Sequence, residues 1–172
     1  MLLEVSDYEC PFCRRFYKDV FPGLRARHIE TGELAYAFMG IANEQLHPKA
    51  LLAAQVSFCA GLHGRFLVAH DLLMTSDLSR LFASDGTVSF LPGINAASYR
   101  SYLASGGNTD LIRRRRLQLK ADGLTATPAL LFGSTEAGGN TMRVSRALQG
   151  DRPLAEIEQV IGELVGGSPV HQ

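Results

Sequence analysis

At 172 residues, the chain is the size of one domain, or of one domain carrying an insertion, since domains run to about 100–200 residues. Hydrophobic residues make up 46% and charged residues 20%, and seventeen Lys and Arg balance seventeen Asp and Glu, which leaves no global field to hold nucleic acid or an anionic bilayer surface. The longest weakly polar stretch, Ala50 to Leu62, contains Gln55 and Ser57 and falls short of the roughly 20 apolar residues a membrane span needs. No basic start, apolar stretch and small-residue cleavage site precede the first motif, so no secretory leader is read in these residues.

Met1 to Val5 is a short apolar run broken by Glu4, the pattern of a buried strand, and Ser6-Asp7 turns the chain. A helix is predicted next. Pro11 suits its first position, where a missing N–H costs nothing, which makes Cys10 the N-cap. Phe12, Phe16, Val20 and Leu24 define an apolar face, Pro22 predicts a kink or break, and Thr31-Gly32 stops the helix. Leu34 to Met39 reads as a second strand of the same sheet. From His47 to Gly123 the pattern is helical, with segments at Pro48–Leu62, Arg65–Phe82, Ala96–Ala104 and Asp110–Asp122 punctuated by Gly61, Gly64, Gly86, Gly93 and Gly106-Gly107. That is too much helix for one crossover between neighbouring strands, so an inserted helical subdomain is expected. Ala129 to Phe132 is a strand reached through Thr125-Ala126-Thr127-Pro128, and Arg143 to Leu148 is its candidate hairpin partner. Pro153 opens a last helix, with Leu154, Ile157, Val160, Ile161 and Leu164 on one face, and the chain from Gly166 to Gln172 reads as a disordered tail. The order predicts an α/β fold: a central sheet with helices packed on it, divided as 1–46, 47–123 and 124–165, with 166–172 beyond.

Three cysteines cannot make a dense disulfide framework. Cys10 and Cys13 form Cys-x-x-Cys where a strand gives way to a helix. The free N–H groups and positive end of the helix dipole favour a thiolate at Cys10, the form that attacks disulfides, and Cys13 lies one turn on. Attack by Cys10 on a partner's disulfide, resolved by Cys13, or the reverse, needs no cofactor.

The segment Asp7-Tyr8-Glu9-Cys10-Pro11-Phe12-Cys13 resembles the active-site segment of the DsbA-like thiol-disulfide oxidoreductases of the thioredoxin superfamily. Weaker matches follow in the family's order at Ile29-Glu30-Thr31-Gly32, His47-Pro48-Lys49-Ala50, Thr127-Pro128 and Gly150 through Leu154. The resemblance covers nearly the whole chain. It implies a thioredoxin-like fold with a helical insertion, Cys10 as nucleophile, Cys13 as resolving thiol and Pro128 as a cis proline whose loop, with Thr127, meets an extended substrate. Pro11 and Phe12 would tune the thiolate, and Glu4 is a candidate acceptor for the Cys13 proton. It further implies protein thiols or disulfides as substrate, a redox partner protein and an extracytoplasmic setting, with oxidase, reductase and isomerase directions all compatible. Two departures matter. The family carries one more strand upstream of this segment, so an edge strand is expected to be missing, and Phe12 stands where the strongest oxidant has a histidine. Reactive cysteines of this superfamily titrate from about 3.5 in DsbA to about 7 in thioredoxin, and a helix terminus supplies only about 0.3–2 kcal/mol; without the histidine, a milder oxidant is expected.

A second reading uses the same spacing as half of a zinc site. Cys59 and His63, four apart on a predicted helix, would complete a Cys3His set with Cys10 and Cys13 in a zinc-stabilised binding module. Taken alone, Cys59 reads as core, as free cysteine commonly does. Arg14 and Arg15 are either thiolate partners or surface, with surface favoured, and Phe58, Phe66 and Leu67 are expected in the core. Arg113 to Arg116 cannot form one helical stripe and reads as a solvated or snorkelling face. The histidines, including His28, His47, His70 and His171, show no hydrolytic triad.

Overall fold

The computed structural model describes residues 1–82, 95–136 and 141–166. Among them, four strands form one sheet in the order β2-β1-β3-β4. Strand β1 (Leu2–Ser6) pairs in parallel with β2 (Tyr36–Gly40) and antiparallel with β3 (Ala129–Thr135), which pairs antiparallel with β4 (Met142–Gln149). The hairpin partner expected at Arg143–Leu148 is thus β4, and the second strand begins two residues later than the sequence pattern indicates. A strand covered on both faces reads as a nearly continuous apolar run, and β1 is that strand: Leu2, Glu4, Val5 and Ser6 are all buried.

Alternation sorts the two faces. Leu2, Leu130 and Phe132 join Phe16 of α1 (Pro11–Asp19), Leu24 of α2 (Phe21–Leu24), and Ile157 and Ile161 of a C-terminal helix on one side. Val5, Ala129 and Leu131 lie on the other, against Ile41, Leu119 and Leu124. Glu4 and Ser6, two and four residues from Leu2, therefore share the α1 side. Between β2 and β3 run α3 (Ala50–Leu62), α4 (Phe66–Thr75), α5 (Leu78–Leu81), α6 (Ala96–Ala104) and α7 (Thr109–Ala121). Their own core, built from Val56, Cys59, Ala60, Leu73, Met74, Leu78, Phe82 and Tyr99, also takes in Tyr8, so a residue of the loop that carries the cysteine pair is buried in the insertion. The C-terminal helix α8 spans Leu154–Gly166, one residue into the expected tail; the rest of that tail, and Gly86 and Gly93, lie outside the described residues.

The break expected at Pro22 is present, and three other expectations are corrected. The helix after Cys10 breaks at Pro22: α1 ends at Asp19, α2 follows, and Arg25–Ile29 is a π-helical turn, because Pro22 has no N–H for the carbonyl four residues back. Phe12 is 51% exposed whereas Phe16 is fully buried. A strict four-residue repeat drifts by about 40° per step around a helix of about 100° per residue, and the first turn carries Phe12 off the core face. The segment Arg65–Phe82 splits at Ser76, where the Asp77 carboxylate accepts from the N–H of Ser79 and starts α5. Leu67, expected in the core, is 67% exposed, and Phe58 and Phe66 are only partly buried.

Candidate active site

Cys10 is the N-cap of α1, with extended backbone and Pro11 at the first helical position. Its side chain makes no full capping hydrogen bond, yet the N–H groups of Phe12 and Cys13 at the free helix end interact with the sulfur. The Cys13 thiol contributes most: its hydrogen bond to Cys10 outweighs burial and, with Thr127 and those two N–H groups, draws the Cys10 thiol down to about 5. Cys13 moves the opposite way, pushed up first by burial and then by the neighbouring sulfur. Its Sγ accepts the N–H of Asp7 at 3.4 Å, and no part of it is exposed. Two chemically identical thiols thus come to differ, one drawn toward the thiolate and the other held as the thiol. Cys10 is less open than a helix start implies, at 5% exposure; its Sγ lies 3.8 Å from the Thr127 carbonyl oxygen, so the loop before Pro128 covers it. The Thr127–Pro128 bond is cis.

Below Cys13, Glu4 is fully buried. Its carboxylate accepts from the Ser6 hydroxyl at 2.7 Å and from the Tyr36 hydroxyl at 2.8 Å. Burial still wins over those bonds and pushes Glu4 up to about 6. Ser6 also lies near enough to Cys13 to pull its thiol down slightly against burial, which puts one hydroxyl between the buried sulfur and the carboxylate. The sequence flags Glu4 but not Ser6 or Tyr36: Tyr36 sits opposite Leu2 and reaches Glu4 only through the β1–β2 register.

Asp7, read from sequence as part of a turn, is 1% exposed and ties the site together. Its carboxylate accepts from the N–H of Glu9 at 2.9 Å, the N–H of Asn43 at 2.9 Å and Nδ1–H of His47 at 2.8 Å, while its carbonyl accepts the Cys10 N–H at 3.1 Å. Glu9 in turn accepts the Lys49 N–H at 2.6 Å at the start of α3. The cysteine loop is therefore held by both the sheet and the insertion. Arg14 is neither a thiolate partner nor free surface: its guanidinium donates to the carbonyls of Tyr8, Leu73 and Ser76, stapling the loop to α4. Arg15 is exposed, pairs with Asp151 and lies 5.2 Å from the centre of the Phe12 ring. Tyr8 bonds His70 Nδ1 at 2.9 Å, inside a ring of Tyr17, Phe38 and Phe66, and burial lowers His70 to about 4.

The four candidate zinc ligands are not brought together. Cys59 is buried in the insertion core, where burial raises its thiol, His63 is exposed beyond the end of α3, and among the described residues no cluster of three or more His, Cys, Asp or Glu is placed to hold a metal. In the arginine run, Arg113 engages both oxygens of Glu44 and Arg116 donates to the Asn43 side chain.

A family model described as thioredoxin matches residues 1–147. The chain belongs to this thioredoxin family. Its fold is the DsbA-like form with a helical insertion. The structure of α-DsbA1 from Wolbachia pipientis superposes with a TM-score of 0.74 at 20% identity, covering 96% of this chain and 85% of that one. BdbD from Bacillus subtilis in its oxidised form gives 0.71 at 17% identity, covering 96% and 87%. Among sequences, a Rickettsia typhi protein described as a candidate protein-disulfide oxidoreductase is 26% identical over 166 residues, 91% of this chain. The chain spans 58% of that relative's length. No helix among the described residues is long and apolar enough to cross a membrane.

Proposed function

We propose that this thioredoxin-family chain exchanges disulfides with protein substrates through Cys10 and Cys13. The observation that carries the reading is the opposed ionisation of the two sulfurs: Cys10 lowered to about 5 by the Cys13 thiol and the helix start, Cys13 raised by burial. In the reducing direction the Cys10 thiolate attacks a substrate disulfide, forms a Cys10–substrate disulfide and expels the first substrate thiolate. Cys13, on losing its proton, attacks the Cys10 sulfur and releases the second thiolate. The substrate gains two electrons and the pair becomes a disulfide; the reverse sequence oxidises a substrate dithiol and leaves both cysteines reduced. Glu4 is the acceptor we assign to the Cys13 proton, because a buried carboxyl raised to about 6 exchanges protons near neutral pH. The loop at Thr127 and Pro128 is the surface we assign to the substrate backbone, since it adjoins the nucleophile.

Direction follows the pair's reduction potential against its redox partner. Phe12 supplies no donor to the thiolate, so we expect a milder oxidant than DsbA, and we assign the protein to an oxidising space outside the cytoplasm, in keeping with the DsbA-like resemblance. We keep 47–123 as the inserted unit, with 1–46 and 124–165 as the two parts of the sheet-bearing unit.

Titrating thiolate absorbance in the reduced, metal-free protein tests the central claim. The expected midpoint lies near 5, between about 3.5 and about 7, it disappears in Cys10→Ser, and that variant loses insulin reduction by more than about a thousandfold. A midpoint near that of a free thiol, about 8.5, with both sulfurs inert to alkylation, overturns the assignment.

A further inference from the structure

Beside the loop at Thr127 lies a cavity of about 250 Å³ that the thiol chemistry does not use. Its floor is apolar, formed by Val5, Ile41, Leu119 and Leu124, and its rim carries Thr127, His47, Arg116 and Lys120. Pockets that enclose whole small molecules run to about 300–1,000 Å³, so this one is the size for a side chain or two. Its position is specific: Thr127 belongs to the cavity wall, and the carbonyl of the same residue is 3.8 Å from the Cys10 sulfur. Thr125 and Ala126 direct their N–H groups to the Gln149 side chain, whereas the Thr127 N–H has no acceptor among the described residues.

The charge balance of the rim is positive. Arg116 and Lys120 are four apart and share one face of α7. Among the described residues neither makes an ion pair: Arg116 donates to the neutral amide of Asn43, and the nearby Glu44 is engaged through both oxygens by Arg113. The one carboxylate in the wall, Asp7, is already met by His47 and by the N–H groups of Glu9 and Asn43.

We infer that this cavity is a substrate subsite that receives an acidic side chain lying within two residues of the substrate's reactive cysteine, with Arg116 and Lys120 as the specificity-determining residues. This rests on the exchange reading above. An extended chain advances about 3.3 Å per residue and returns side chains to one face every second residue, so a substrate whose cysteine meets Cys10 carries its second neighbour about 7 Å along the loop whose residues Thr125, Ala126 and Thr127 line the cavity. A glutamate entering from the Thr127 side lays its methylene groups along the apolar part of the wall and brings its carboxylate to Arg116 and Lys120 on α7.

The test is a set of cysteine-disulfide peptides, identical but for Glu, Gln or Lys two residues before or after the cysteine, with rates of mixed-disulfide formation followed at Cys10 in a Cys13→Ala background. The expected result is Glu faster than Lys by about fivefold in at least one position, the size expected of two partly exposed charge pairs. The double variant R116E/K120E inverts that order once each rate is divided by the Gln rate in the same background, and added salt shrinks the difference. Equal rates for Glu and Lys in both positions, or a preference untouched by the double variant, overturn the subsite while the Gln rate leaves disulfide exchange standing. No reaction with any peptide in the parent protein, where Cys13 still lowers Cys10, removes the exchange reading and the subsite with it.

Discussion

The two ends of strand β1 face the same side of the sheet and are built on opposite principles. At Leu2 the strand joins Phe16, Leu24, Leu130, Phe132 and Ile157 in a wholly apolar cluster. At Glu4 and Ser6, one and two pleats further on, the same face is equally buried but polar, with every hydroxyl and carboxylate committed to a hydrogen bond. The first end stabilises the fold through area removed from water. The second holds a carboxyl away from water, where burial overcomes its hydrogen bonds and raises it to about 6. Stability and reactivity are thus separated by about two residues of one strand, and the polar end can be destabilising only because the apolar end is not.

The largest effect that sharpens this contrast is expected in the apolar cluster. Phe132→Ala empties a fully enclosed site and should cost about 3–5 kcal/mol in urea unfolding, with the Cys10 titration midpoint unmoved. A midpoint that moved with stability would show that the two ends are not separable.

Next in size is the buried histidine on the insertion side of the site. His70 titrates near 4 in the fold against an ordinary value of 6.5. Above pH 6.5 both states are neutral and it has no effect; as pH falls the unfolded chain takes up the proton first, so stability declines down to about pH 4 and then levels. The full loss is about 3 kcal/mol at about 1.36 kcal/mol per pH unit. His70→Phe should flatten that part of the stability curve relative to the parent.

Glu4 gives a smaller slope of opposite sign. Its folded value is raised to about 6 from 4.5, so the folded state holds the proton more tightly. Its contribution is fully present below pH 4.5 and is lost as pH rises through 6. Glu4→Gln should therefore be more stable than the parent by about 2 kcal/mol above pH 7, with the gap closing below pH 4.5. The same variant should slow resolution of the Cys10 mixed disulfide, measured by quenched mass spectrometry. Because the His70 and Glu4 slopes oppose each other between pH 4.5 and 6, each is read as a difference between variant and parent. A Glu4→Gln protein with unchanged stability at pH 7.5 would mean that the carboxyl is solvated.

Much of this was readable in the chain order of apolar and punctuating residues. Pro11 after Cys10 marked the start of α1, and Thr125-Ala126-Thr127-Pro128 before an apolar run marked the loop that covers Cys10. Other residues were invisible for definite reasons. Phe12 misled because four-residue spacing only approximates a helical stripe. Arg14 and Leu67 are a charged and an apolar residue on helices whose neighbours, not whose types, set their exposure. Asp7, Ser6, His47 and Tyr36 acquire their roles from partners 40, 2, 40 and 32 positions away.

The sequence by itself determined which two sulfurs stand together at the start of a helix. A Cys-x-x-Cys at a strand-to-helix junction places two sulfurs one turn apart at a free helix end, and that follows from local geometry alone. Only the tertiary structure decided how the two differ. Burial of Cys13 between α1 and the sheet, and the loop that Thr127 brings to Cys10 from more than a hundred residues downstream, are set by packing between distant segments, and the ionisation of a thiol depends on its surroundings rather than on its place in the chain.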